Sequence, residues 1–182
     1  MENLKGHLLI AIPDLSDPNF FRSVVLMIQH DSEGAMGVIL NRPSSITVAS
    51  VWQEVSETPC DCPDFVHVGG PVEGPLIAIH TSPDLAESEL IQDVYVSLAR
   101  ENLNALVSQN QHRFRLFSGY SGWGLEQLQN EIQVGGWLIV PANIDHVFAP
   151  PSMLWKQVCE AFGSQVLQAQ LGQHLPTDPS MN

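Results

Sequence analysis

Apolar positions along the chain fall into short blocks separated by turn residues, and the period within each block predicts its element. Gly6 to Ile12 is a continuous apolar run ended by Pro13-Asp14-Leu15-Ser16-Asp17-Pro18-Asn19, which reads as a buried strand followed by a dense turn. Ser23 to Ile28 and Met36 to Leu40 are apolar on both faces and flank Asp31-Ser32-Glu33-Gly34, so they predict a hairpin of buried strands, closed by Asn41-Arg42-Pro43. From Ser45 the spacing Val48, Val51, Trp52, Val55 is helical and follows a Ser/Thr-rich start suited to capping, which predicts a helix over one face of the sheet. Thr58 to Asp64, with two prolines and Cys60-Asp61-Cys62, reads as a mobile surface loop.

The second half repeats the same grammar. Phe65 to Val68 and Leu76 to His80 flank Gly69-Gly70-Pro71-Val72-Glu73-Gly74-Pro75, and are expected to be neighbouring strands. Val94-Tyr95-Val96 predicts a short strand, and Leu98, Leu103, Leu106 and Val107 predict a helix over 97–109. Phe114 to Phe117 reads as a strand that runs into Ser118-Gly119-Tyr120-Ser121-Gly122-Trp123-Gly124, a stretch read as a strand-to-helix turn. An amphipathic helix follows it, with Leu125, Leu128 and Ile132 on one face and Glu126, Gln129 and Gln133 on another. Trp137 to Val140 is the next strand. A last helix carries Leu154, Trp155, Val158, Phe162 and Val166 as a stripe, with Ser152 after Pro150-Pro151 as its N-cap and Gly172 as its stop. Strands outnumber helices and pair through hairpins, so the class is α+β, with one domain over 1–172 and a disordered tail over 173–182.

Composition narrows the functional classes. With 182 residues and 44% hydrophobic content, the chain is long enough for one sizeable core. Seven basic against twenty acidic residues give a net charge of −13, which repels phosphate backbones and disfavours direct nucleic-acid binding. The local exception, His112-Arg113-Phe114-Arg115, is read as two arginines on the outer face of an alternating strand. No apolar run approaches the length of a membrane span or a signal peptide, and three cysteines make no disulfide framework, so the expected setting is cytoplasmic.

The glycine-rich stretch is the main candidate for chemistry. Gly119-Tyr120-Ser121-Gly122-Trp123 differs from the nucleophile elbow G-x-S-x-G at Trp123, where the elbow needs a glycine for close helix packing. It is no phosphate loop either, lacking both G-x-G-x-x-G and the Lys-Ser/Thr pair. Cys60-Asp61-Cys62 with His67 has the wrong spacing for zinc, and neither metal nor cofactor is expected. Arg42 at a strand end is read as the partner of an acidic side chain, and His30 and His80 as hydrogen-bonded structural residues. The candidate ligand-binding set is Asn41, Arg42, Gly119, Ser121, Gly122, Trp123 and Gln127, with Gly69-Gly70 brought near by the fold; no residue is assigned as catalytic.

Taken in order, Leu9-Ile10-Ala11 with Pro13, Asp17-Pro18-Asn19-Phe20, Gly34 to Pro43, Gly69-Gly70-Pro71-Val72, His80, Gly119 to Trp123 and Gln127-Leu128 resemble the AlgH/YqgE family of bacterial proteins, from about Leu4 to Phe162. The resemblance implies a compact α+β domain with a mixed, bifurcated or barrel-like sheet surrounded by helices. Members carry the label of transcriptional regulator, associated with alginate production, without a DNA-binding motif. Where members place Pro-Gly or a similar pair before Gln-Leu, this chain has Leu125-Glu126, and Glu126 would oppose an anion at that helix start. The resulting expectation is a non-enzymatic binding or regulatory protein that acts through a protein or small-molecule partner. The alternative is a small-molecule hydrolase that uses Ser121 or a pocket histidine such as His80.

Overall fold

The structure is a computed structural model that describes residues 3–172 other than 14, 16, 56–59, 110 and 125, and leaves the side chains of 165–172 undescribed. The expected tail over 173–182, part of the 58–64 loop and Leu125 therefore lie outside the described residues. The strands are β1 (His7–Ala11), β2 (Val24–Asp31), β3 (Gly34–Ile39), β4 (Pro43–Thr47), β5 (Phe65–Val68), β6 (Val72–His80), β7 (Ser88–Ile91), β8 (Val94–Ser97), β9 (Phe114–Trp123) and β10 (Trp137–Pro141). The helices are α1 (Val48–Val55), α2 (Arg100–Gln109), α3 (Gln127–Gln133), α4 (Ile144–Val147) and α5 (Pro151–Gly172). Together they form a single α+β domain around a curled half-barrel sheet.

The strand order is β10-β1-β2-β3-β9-β6-β8-β7, with β4 and β5 on a branch from β9. β9 carries β6 along one edge. Its other edge is divided: Phe117 and Ser118 pair with β5 in parallel, and Ser121 to Trp123 pair with β3 antiparallel. The sheet forks there, and β9 belongs to both prongs.

Period-two patterning explains the layers, because each central strand is apolar on both faces. Leu8, Ile10, Val24, Leu26, Ile77, Ile79 and Phe117 point to the face covered by Val147 of α4 and by Leu154 and Val158 of α5. On the opposite face, Leu9, Val25, Met27 and Ile39 meet Leu128 of α3, while Ala78 and Leu116 meet α1 and α2.

In β9 the alternation reverses at one residue. Before Gly119, Phe117 faces α4 and α5 while Leu116 faces away; after it, Tyr120 packs on the α4–α5 side and Trp123 on the other. Gly119 has φ +70°, a left-handed conformation that glycine adopts without penalty, and this shifts the strand by one face. A Cβ at Gly119 would lie 2.6 Å from the Val72 carbonyl oxygen.

The fork is closed by Gly69. Its N–H donates to the Ser118 carbonyl, and its carbonyl accepts from Ile39 N–H at 2.9 Å and from the Ser121 hydroxyl at 3.1 Å. A Cβ on Gly69 would lie 2.2 Å from the Gly119 carbonyl oxygen, and one on Gly70 2.2 Å from the Tyr120 carbonyl carbon. The glycines of both motifs thus serve one backbone crossing.

Several expectations are corrected. Ser118 to Trp123 is strand and not a turn; the chain turns only at Gly124, because pairing with β3 extends β9. β5 and β6 are not neighbours, since β9 lies between them. β4, β7 and α4 went unpredicted, being short and weakly periodic. Ser152 is the second residue of α5 and not its cap, for Pro150 supplies the first carbonyl to Met153 and Leu154. Arg115 turns inward, where it donates to the Val147 and Ala149 carbonyls at 2.9 and 2.6 Å.

Gly69→Ala is expected to destabilise the fold by at least ~3 kcal/mol, because the clash is with backbone. Gly163→Ala, in α5 with nothing within 4 Å of the added Cβ, is expected to stabilise by ~0.5–1 kcal/mol. Trp123→Ala should cost ~3–5 kcal/mol as a buried aromatic. Urea midpoints measured on the three variants check the signs and the order.

Candidate functional site

The residues singled out in the sequence sort into two places. At the fork lie Gly119, Ser121 and the Arg42 carbonyl, which accepts the Val68 N–H at 2.8 Å. Gly119 and Gly70 share a depression of about 410 Å³ with Val68, Val72, Glu73 and Ser118. Ser121 is fully buried and its hydroxyl is given to Gly69, so the group proposed as nucleophile holds backbone instead. Asn41 is a clasp on β2: its Oδ1 accepts Val24 N–H at 2.9 Å and its Nδ2 donates to the Arg22 carbonyl at 2.8 Å. The Arg42 guanidinium donates to the Asn19 carbonyl at 2.5 Å, a backbone partner in place of the acidic one expected. Gly122 is exposed and pairs with Met36.

Trp123 and Gln127 belong to the second place. Trp123 stacks on Phe20 and meets Trp137 edge-on, with centroids 5.7 and 6.0 Å away. The Glu131 carboxylate accepts both indole N–H groups, at 2.9 Å from Trp123 and 2.8 Å from Trp137, and the Gln127 amide at 3.0 Å. Gln127 also takes the Gly124 N–H at 3.1 Å. This network closes the end of β9 onto α3.

His80 is fully buried and wired. Ser82 N–H donates to its Nδ1 at 3.2 Å, which leaves the proton on Nε2 to reach the Ser97 hydroxyl at 3.0 Å, and Ser97 in turn donates to the Leu85 carbonyl. The histidine is a structural relay, as read from the sequence.

His67 is different. It stands mid-strand in β5, 6% exposed, with its ring 5.4 Å from Phe117. Both ring nitrogens are buried, and among the described residues neither has a hydrogen-bond partner of good geometry, although the Phe65 backbone lies beside the ring and favours its charged form. Such a group normally costs ~1–3 kcal/mol, so its retention calls for an explanation. His67 lines a cavity of about 310 Å³ together with Pro43, Val48, Asp64, Phe65, Phe114, Arg115, Leu116 and Pro151. An apolar wall with a few convergent polar groups is the usual form of a small-molecule site. Burial first, then the Arg115 charge, hold the His67 pKa down to about 4, so the ring is neutral at pH 7 and offers one donor and one acceptor. Burial and the neighbouring Arg113 also lower the Arg115 pKa.

In the sequence, His67 was weighed only as a partner of Cys60 and Cys62, both of which pack against the α1–α2 core. The available signal was a polar residue at an alternate position of an otherwise apolar strand. Among the described residues no three His, Cys, Asp or Glu side chains converge as metal ligands, and no helix is long and apolar enough to cross a membrane.

A forked half-barrel α+β domain with a largely apolar cavity beside the fork defines the class. Residues 8–167 match the AlgH-like family model, and the chain belongs to that family. It is 34% identical to a UPF0301 protein of Myxococcus xanthus, over 90% of this chain and 93% of that one. It is 33% identical to a UPF0301 protein of Streptomyces coelicolor, over 100% and 97%. The fold is similar to the solution structure of the AlgH protein from Pseudomonas aeruginosa, with a TM-score of 0.75, 29% identity and coverage of 87% and 88%. A crystal structure of a Corynebacterium diphtheriae protein gives a TM-score of 0.70 at 27% identity, covering 87% and 86%.

The two buried histidines make stability depend on pH. Both have an ordinary pKa of 6.5 that falls to about 4 in the fold, for His80 through burial and then the charge of His112. Between these values the unfolded chain binds protons that the folded chain refuses. Their contribution is therefore fully present above pH 6.5 and is lost as pH falls toward about 4, by ~2 kcal/mol per histidine at pH 5. Urea midpoints at pH 7 and pH 5 measure the loss, and His67→Phe should remove about half of it.

Proposed function

We propose that the protein is a small-molecule-binding, regulatory protein whose ligand occupies the His67 cavity. The observation that carries this reading is a largely apolar cavity of about 310 Å³ whose wall includes the half-buried Arg115 guanidinium. A guanidinium in a largely apolar cleft recognises a ligand by charge and hydrogen bonding, and the His67 ring beneath it, with a pKa of about 4, is a weak base at pH 7. Among the described residues the cavity wall has no Ser, Thr or Cys to serve as a nucleophile. Ser121 and His80, the hydrolytic alternatives, are each committed to backbone or to Ser97.

Regulation through a bound ligand also fits the charge. A net charge of −13 repels nucleic acid, so an effect on transcription would pass through the ligand and a protein partner in a cytoplasmic setting.

The position of the cavity supplies a route for such a signal. Its walls come from β4, α1, β5, β9 and the first residue of α5, so an occupant contacts both the branch and a helix from the opposite face.

His67→Phe keeps ring volume while it removes the unpaired nitrogens, and should raise the unliganded stability by ~1–2 kcal/mol. A ligand-observed NMR screen with small aromatic and aliphatic amides, alcohols and acids should find binders of the wild type that Phe65→Asp, a change at an exposed position of the wall, loses. A screen in which wild type and Phe65→Asp bind the same set would count against the site.

A further inference from the structure

The chemistry of the occupant can be narrowed, on the reading that the His67 cavity is a ligand site. Asp64 and Phe114 line both this cavity and a second, more polar depression of about 400 Å³, whose other walls are Gln111, His112, Arg113 and Phe148. One guanidinium lies on each side of this shared wall, Arg115 in the first and Arg113 in the second. Arg113 lies 4.4 Å from the Phe148 ring centroid and Arg115 6.0 Å from the same centroid. Neither makes a salt bridge among the described residues, although acidic side chains outnumber basic ones twenty to seven in this chain.

Two like charges on one ring repel each other, and the lowered Arg115 pKa reflects that repulsion after burial. Arg115 spends two donors on the Val147 and Ala149 carbonyls and keeps others of its five N–H groups for an acceptor. Arg113 is exposed, and its guanidinium has only the ring as a described partner. The wall also contains Pro151, the first residue of the 22-residue α5, which brings the positive end of a long helix to the site. Asp64 opposes an anion, but it is exposed and screened by water, whereas Arg115 is half-buried, where a charge acts more strongly. Pro43, Phe65 and Phe114 supply the accessible apolar remainder.

We propose that the occupant is an amphipathic anion, with its apolar body against Pro43, Phe65 and Phe114 and its carboxylate or phosphate on Arg113 and Arg115. The site differs from the helix start at Gln127, where Glu126 would repel the same group.

Calorimetry at low salt with octanoate, octyl phosphate and octanamide, each below its aggregation limit, tests the assignment. The expected result is that at least one anion binds about tenfold more tightly than octanamide, and the better of the two names the head group. Arg113→Gln, a surface change that leaves the Arg115 hydrogen bonds in place, should abolish most of that preference and leave octanamide binding unchanged; its thermal midpoint checks folding. Equal binding of the amide and both anions, or an Arg113→Gln variant that keeps the preference, overturns the anion assignment and leaves the cavity reading intact. Binding by none of the three probes overturns both.

Discussion

Everything in this molecule is arranged around one close backbone crossing, where the segment after β5 passes over β9. Gly69 bonds Ser118 and Ile39, accepts the Ser121 hydroxyl, and comes so near Gly119 that a single carbon atom would not fit between them. A sheet that forks must leave backbone groups unpaired where its prongs part, and buried orphans of that kind are costly. Gly69 and Ser121 together satisfy them. The left-handed turn of Gly119 then lets one strand show opposite parities to two cores, so that Phe117 serves one layer and Trp123 another.

The fork also makes the cavity. Because β3 takes over the edge of β9 only from Ser121 onward, the earlier part of that edge is left to the short β5, which brings His67 beside Phe117. The branch β4–β5 and helix α1 close one side, and α5 closes another with Pro151. Buried polar groups are normally paired, so His67, buried beside that cavity without a partner of good geometry among the described residues, is a local departure from that rule. That departure is what sets the site apart from His80, an equally buried histidine whose hydrogen bonds are complete.

The elements with strong local signals were legible in sequence. The apolar blocks of β1, β2 and β3, the stripes of α1 and α2, and the run of α5 follow from period alone. The strand-to-helix turn was misplaced because small residues at 118–124 look like a loop when their partners are unknown; pairing with β3 makes them strand. Arg115 was read as exposed because alternation gives parity but not which face is covered, and α4 and α5 lie far along the chain. The family pattern marked Gly69-Gly70 and Gly119 to Trp123 together without saying that they touch.

The sequence by itself determined the class, the buried strands and the net charge of −13. These are properties of local pattern and of summed composition, which need no partner to be defined. Tertiary structure decided which edge of β9 each strand takes, that Ser121 is a stitch while the buried His67 lacks a partner of good geometry among the described residues, and that the Arg113 and Arg115 guanidiniums both approach the Phe148 ring. Those outcomes depend on contacts between segments tens of residues apart, and whether a polar atom is satisfied or left free is settled only when the other side of its cavity is in place.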